Sequence, residues 1–168
     1  MFKCTTTIAL SLTITTASPR TVQAQYLRVT ADTATIRVAA RQDAQVVTQA
    51  RKGDVFELDG TKGEWYEIFM FSGEYRYLPQ SAAEPLAQSP TLPNNQATLR
   101  SACLEYVRAQ DRAGSESQRR FPSAVMRRIH LEQFLHDRYG LPVFQKYGIA
   151  PARKATLSVL CARNNWIR

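Results

Sequence analysis

Three prolines fall within nine positions, Pro85, Pro90 and Pro93, in the run Glu84-Pro-Leu-Ala-Gln-Ser-Pro-Thr-Leu-Pro-Asn-Asn95. Proline removes a backbone donor and favours an extended chain, so this stretch reads as a linker over residues 84–95. The apolar pattern changes across it. Upstream lie short runs rich in β-branched and aromatic residues: Tyr26–Thr30, Thr33–Val38, Val46–Ala50, Val55–Leu58, Trp65–Phe71 and Tyr75–Leu78. Gly-containing turn signals separate them, at Lys52-Gly53-Asp54, Asp59-Gly60, Lys62-Gly63 and Ser72-Gly73. Many short strands at this spacing predict a small barrel or sandwich.

Downstream the apolar residues recur at helical spacing. Asn94 or Asn95 suits the cap of a helix running to about Arg112, followed by a loop at Gly114-Ser-Glu-Ser117. Pro122 suits the first turn of a second helix and Gly140 its C-terminal cap, with Val125, Ile129, Leu131, Leu135 and Tyr139 on one broad face. A short turn ends at Gly148, and Pro151 opens a last helix. The expected fold class is α+β: a small all-β barrel at residues 25–83, the linker, then a separate small α-helical domain at residues 96–168.

Charge follows the same boundary. From Tyr26 to Pro90 there are seven basic and nine acidic residues, net −2; from Thr91 to Arg168 there are 13 and five, net +8. The pairs Arg119-Arg120 and Arg127-Arg128 form a candidate basic patch, extended by Arg138, Lys146, Arg153 and Lys154. No Gly-rich phosphate loop is present, which argues against a nucleotide enzyme. No apolar run approaches the ~18 residues of a membrane span.

Residues 1–24 read as an export signal. Lys3 supplies the positive start, Ile8, Ala9, Leu10, Leu12 and Ile14 the apolar centre, and Val22-Gln23-Ala24 the small residues at the cleavage point. Cleavage after Ala24 removes Cys4 and leaves Cys103 and Cys161. An even pair in an exported protein reads as a disulfide. The expected location is the periplasm or cell envelope, so nucleic acid is not an expected partner. Anionic surfaces there include phospholipid headgroups, lipopolysaccharide, wall polymers and acidic proteins.

The strand half resembles a bacterial Src-homology-3 (SH3-like) domain. Ala34-Thr35-Ile36-Arg37-Val38-Ala39-Ala40 is similar to that family's opening motif, in which an apolar residue precedes an arginine. Val46-Val47 and Arg51-Lys52-Gly53-Asp54 resemble its apolar pair and basic Gly turn. Gly63-Glu64-Trp65-Tyr66-Glu67-Ile68 resembles its Gly-x-Trp-Tyr-x-apolar strand. This chain departs from the family in having Ala39-Ala40 for Gly-Pro, Arg76 for a late Gly and Tyr77 for a late Trp. The resemblance covers roughly Tyr26 to Gln80 and implies a binding module of the kind that accompanies cell-wall proteins.

Tyr66, Tyr75 and Tyr77, beside Arg37 or Arg76, are the candidate ligand-binding residues, forming a groove for an extended peptide or a sugar–peptide polymer. The competing reading makes Trp65 and the tyrosines core, and Arg37 a structural arginine bonded to a turn carbonyl. No catalytic residue, metal site or cofactor is expected. Ser101-Ala102-Cys103-Leu104 lacks the flanking motif of a thiol peptidase. His130 and His136, six apart on a helix, point about 120° away from each other. The leading expectation is an exported, non-enzymatic binding or scaffolding protein of the cell envelope that recognises cell-wall material or a protein partner. The alternative is a cell-wall hydrolase, or an accessory subunit of one, with its site in the helical half.

Overall fold

A computed structural model describes residues 25–167; the signal-peptide expectation and Cys4 lie outside the described residues. Seven strands form one antiparallel sheet: β1 Tyr26–Val29, β2 Thr33–Arg37, β3 Val46–Arg51, β4 Val55–Lys62, β5 Trp65–Phe69, β6 Tyr75–Pro79 and β7 Ala83–Leu86. Their order is β3-β2-β6-β5-β4-β1-β7. Three helices follow, α1 Gln96–Arg120, α2 Val125–Lys146 and α3 Lys154–Arg163. The fold is a strand domain followed by a helical part, α+β as expected.

The strands follow the alternation in the sequence. Ala34 and Ile36 on β2 turn inward with Leu27, Val29, Phe56, Ile68 and Leu78, while on β3 a register shift between Ile36 and Arg37 lets Val47 and Ala50, three apart, both face the core. Asp59-Gly60, expected as a turn, lies inside β4. The register of β4 against β5 shifts between Leu58 and Gly60, so the bend is absorbed as a bulge. The expected linker also divides. Glu84–Leu86 pair with β1, Glu84 opposite Arg28 and Pro85 opposite Leu27. A strand at the sheet edge tolerates proline because one side of it has no partner to bond. Only the part after Leu86 connects the strands to α1 without regular structure.

Asn95 caps α1, its side chain accepting from the amides of Ala97 and Thr98. The helix continues past Arg112, through the expected loop, to Arg120. Gly114 weakens a helix by ~1 kcal/mol, but Ala113 and Ser117 are fully buried and the Ser117 hydroxyl donates to the Arg128 carbonyl of α2 at 2.5 Å. Pairing with α2 outweighs the local preference.

Gly140 likewise does not end α2. A Cβ there would meet the Phe71 ring at 3.0 Å and Tyr106 of α1 at 3.2 Å, so the glycine lets α2 pack closely against both. The helix ends instead at Lys146, capped by Tyr147 and then Gly148 in the left-handed conformation (φ 63°), with Ile149 N–H donating to the Phe144 carbonyl at 2.9 Å. The buried stripe of α2 is Phe134, Leu135, Asp137, Leu141 and Phe144; Val125 and Ile129, expected on it, are exposed.

One continuous core joins the two halves. The strand residues above share a cluster with Leu99, Ala102, Cys103, Leu141, Phe144, Ile149, Leu157 and Cys161. Phe71, just after β5, packs on Phe144 and Tyr106 with ring centroids 4.8 and 5.8 Å apart. Cys103 of α1 and Cys161 of α3 form a disulfide, with Cα atoms 6.0 Å apart.

Candidate functional site

Antiparallel register decides which candidate residues share a face. Glu67 stands opposite Tyr77, and Phe69 opposite Tyr75, so these four project to the outer side of β5 and β6. Phe69 and Tyr75 are exposed and meet edge to face at 5.6 Å. The Tyr77 hydroxyl donates to Glu67 Oε1 at 2.6 Å, which pushes its pKa up to about 12, and Lys62 Nζ lies 5.8 Å from its ring centroid. Tyr66 is opposite Leu78 and projects to the other side, half-buried against the core. Neighbours on a strand point apart, so Tyr66 does not join a groove with Tyr75 and Tyr77. Trp65 is buried.

The two candidate arginines both bond within the fold. Arg37 Nη1 donates to the Ala44 carbonyl at 2.7 Å, the turn contact set out as the competing reading. Arg76 stands opposite Ile68 on the inner side of the sheet and is only 7% exposed. Its Nε donates to Asp137 Oδ2 of α2 at 2.9 Å. Asp137 is fully buried and also accepts from the Ser72 amide and hydroxyl, each at 2.8 Å. Burial raises its pKa, while Arg76 and the Ser72 hydrogen bonds pull the other way. Where the SH3-like pattern has its late glycine, this chain therefore carries the cation that holds its helical part. Gln133 of α2 extends this joint by donating to Glu74 Oε1 at 2.7 Å.

That joint builds a cleft which no single half provides. Phe69, Met70 and Phe71 form one wall, and Pro151, Ala155 and Ser158 the other, around about 320 Å³. Glu57 and Lys154 are its two charged groups. Lys154 Nζ donates to the Phe71 carbonyl, and burial holds its ammonium below the ordinary lysine value against the pull of Asp137 and Glu57. A second recess, of about 380 Å³, shares Glu57 and Phe69 with the first and adds Tyr26, Asp59 and Tyr75. Together they make an apolar arm against α3 and an acidic arm along β4. Of the candidate ligand-binding residues only Tyr75 lines it. Glu57 and Phe69 were not singled out, and Lys154 was named only as part of the basic half, because the cleft needs α3 laid against the strands and strand alternation alone does not report that.

The four patch arginines do come together, at the turn between α1 and α2. Arg119 and Arg120 end α1, and Arg127 and Arg128 lie in the first turn of α2. Arg120 pairs with Glu116. Cys103, bridged to Cys161, carries no free thiol. His130 is exposed; His136 is half-buried 3.7 Å from Glu132, and burial lowers its pKa. Among the described residues no three His, Cys, Asp or Glu side chains cluster as a metal site would require, and no helix is long and apolar enough to cross a membrane.

Residues 32–82 match the family model of the bacterial SH3 domain, which covers β2 to the turn before β7. The strand half thus carries a bacterial SH3 domain, a type of binding module often associated with cell walls. The helical half lies outside that match. A comparison of the chain with curated proteins gives no match.

Proposed function

We propose that this chain is an exported, non-enzymatic binding or scaffolding protein of the bacterial cell envelope. In this reading, the cleft between the SH3 domain and α3 takes an extended peptide segment of wall material or of a protein partner. The observation that carries the proposal is the make-up of the cleft. Its apolar arm, walled by Phe69, Phe71 and Ala155, suits an aliphatic side chain. Its acidic arm, with Glu57 and Asp59, suits an amine or guanidinium of the same ligand. The SH3 match supports a binding role, and the Cys103–Cys161 bridge fits an oxidising compartment.

The test is retention on purified, insoluble wall material, using wild type and Ala155→Trp. Ala155 is exposed on α3, so an indole there fills the apolar arm without disturbing the core. At least a tenfold loss of retention is expected, with an unchanged thermal melt. Equal retention by the variant removes the cleft from the reading. Release of soluble wall fragments by the purified protein would replace the binding role with a hydrolytic one.

A further inference from the structure

The end of the α1–α2 hairpin carries a second feature, independent of what the cleft takes. Phe121, Val125, Met126 and Ile129 are 37%, 55%, 65% and 40% exposed. Val125, Met126 and Ile129 lie within about 100° of arc on α2; Met126, five turns before Phe144, shares its azimuth, so at this end the helix carries an apolar face on past the point where a neighbour covers it. A helix position facing water normally carries a polar side chain, and three bulky apolar ones together mark an unfilled contact. Between Gln118 and Leu131 there are four arginines and no carboxylate. Among the described residues, only Arg120 of the four is in an ion pair.

The tip also stands clear of the SH3 domain. Gln133 is the first residue of α2 that hydrogen-bonds to the strand half, seven residues beyond Met126. At 1.5 Å per residue this leaves Val125 and Met126 roughly 10–12 Å, and Ile129 roughly 6 Å, past that contact. The hairpin is braced at this end by Ser117 donating to the Arg128 carbonyl, so the tip is presented by a fixed turn.

The geometry points to a membrane-docking tip. Phe121, Val125, Met126 and Ile129 enter the headgroup region of an anionic lipid bilayer, and Arg119, Arg127 and Arg128 pair with lipid phosphates around them. The occupant follows from charge and shape. Guanidinium forks match phosphate oxygens in pairs. A convex end with apolar side chains ringed by cations suits a soft anionic interface that it can enter to a depth of several ångströms. Each basic side chain near such a surface strengthens partitioning roughly fivefold, and the effect is screened within a Debye length of roughly 8 Å at physiological salt.

Vesicle flotation of the full chain tests this, with vesicles containing phosphatidylglycerol against vesicles of phosphatidylcholine alone. Wild type is expected to float with the first and not with the second, and more weakly as salt rises. The triple variant Val125→Ser/Met126→Ser/Ile129→Ser leaves the charge untouched and should lose at least tenfold in partitioning. Arg119→Gln/Arg127→Gln/Arg128→Gln should lose at least as much. Met126→Ser alone, at the most exposed position, repeats the comparison with the least disturbance to the fold. Ala155→Trp should float like wild type, which separates this tip from the cleft. The inference is overturned if wild type does not float, if it floats equally on both lipids, or if the serine variants float as wild type does. It is also overturned if the serine triple merely converts a dimer to a monomer, which would make the face a contact between two copies.

Discussion

The two sides of the central sheet treat a charged side chain in opposite ways. On the outer side of β5 and β6, Glu67 and Tyr77 form a hydrogen-bonded pair beside Lys62 in reach of water. On the inner side, one residue away, Arg76 is buried and answered by Asp137 from a helix 61 residues further along the chain. An outer pair adjusts to solvent and contributes little. An inner pair is of use only if both members are in place, because either alone is a buried charge without a partner. The strand and helical halves are thus tied by more than the connection after Leu86.

The largest effect should come from breaking that tie on one side. Asp137→Ala leaves the Arg76 guanidinium buried without its partner and frees the Ser72 amide and hydroxyl. A loss of about 3–5 kcal/mol in unfolding free energy is expected, read by urea denaturation. The double variant Arg76→Met/Asp137→Leu, which removes both charges, should recover most of that loss. If it is as unstable as the single variant, the pair is not the source of the effect.

Next in size is the bridge. Cys103→Ser/Cys161→Ser releases α3 from α1, and α3 carries one wall of the cleft. Closure of a loop of this length, 58 residues apart in sequence, is worth about 2–4 kcal/mol. The melt should shift down, and retention on wall material should weaken with it. A lower melt with intact retention at low temperature would show that the cleft does not need the bridge. Smaller again is Gly140→Ala. Helix propensity favours alanine by ~1 kcal/mol, but the new methyl meets Phe71 and Tyr106, whose rings are fixed by Phe144. Net destabilisation of about 1 kcal/mol is expected; stabilisation would mean that Phe71 can move aside.

These same positions show how much the sequence discloses. Strand alternation located six of the seven strands, and apolar spacing located the helices, because each element's own periodicity carries that information. The ends of elements were missed where packing between elements decides them. Gly114 and Gly140 look like punctuation, yet both sit inside helices because a neighbour occupies the space or compensates the cost. Pro85 looks like linker, yet an edge strand accommodates it. Arg76 and Asp137 were each visible as violations. Arg76 sits at an inward position between Ile68's register and Leu78, and Asp137 falls at helical spacing with Phe134, Leu141 and Phe144. Two opposite charges at two core positions imply each other, but that inference requires both periodicities to be held together. Val125 and Ile129 were placed on the packing face for the converse reason: apolar spacing shows that a side chain avoids polarity, not what covers it.

The smallest effect sought is the pH dependence of the tie. Burial raises the pKa of Asp137 from its ordinary 3.8. The native chain therefore binds more protons than the unfolded chain between 3.8 and the raised value. Stability from this group is fully present below that window and declines as pH rises through it. Measured against Asp137→Asn, wild type should lose stability with rising pH across the window and run parallel above it. A relative gain would reverse the sign and make the carboxylate's hydrogen bonds dominant over its burial.

Native-state hydrogen exchange tests the central claim, one cooperative unit spanning both halves, most directly. The amides of Ile68 in β5 and Phe144 in α2 lie on opposite sides of the joint and are both fully buried. If the halves fold together, the two amides exchange with the same opening free energy, and Asp137→Ala lowers both by the same amount. If Asp137→Ala lowers Phe144 and leaves Ile68 unchanged, the strand half folds independently, as the proline run by itself suggests, and the joint and its cleft are secondary to it.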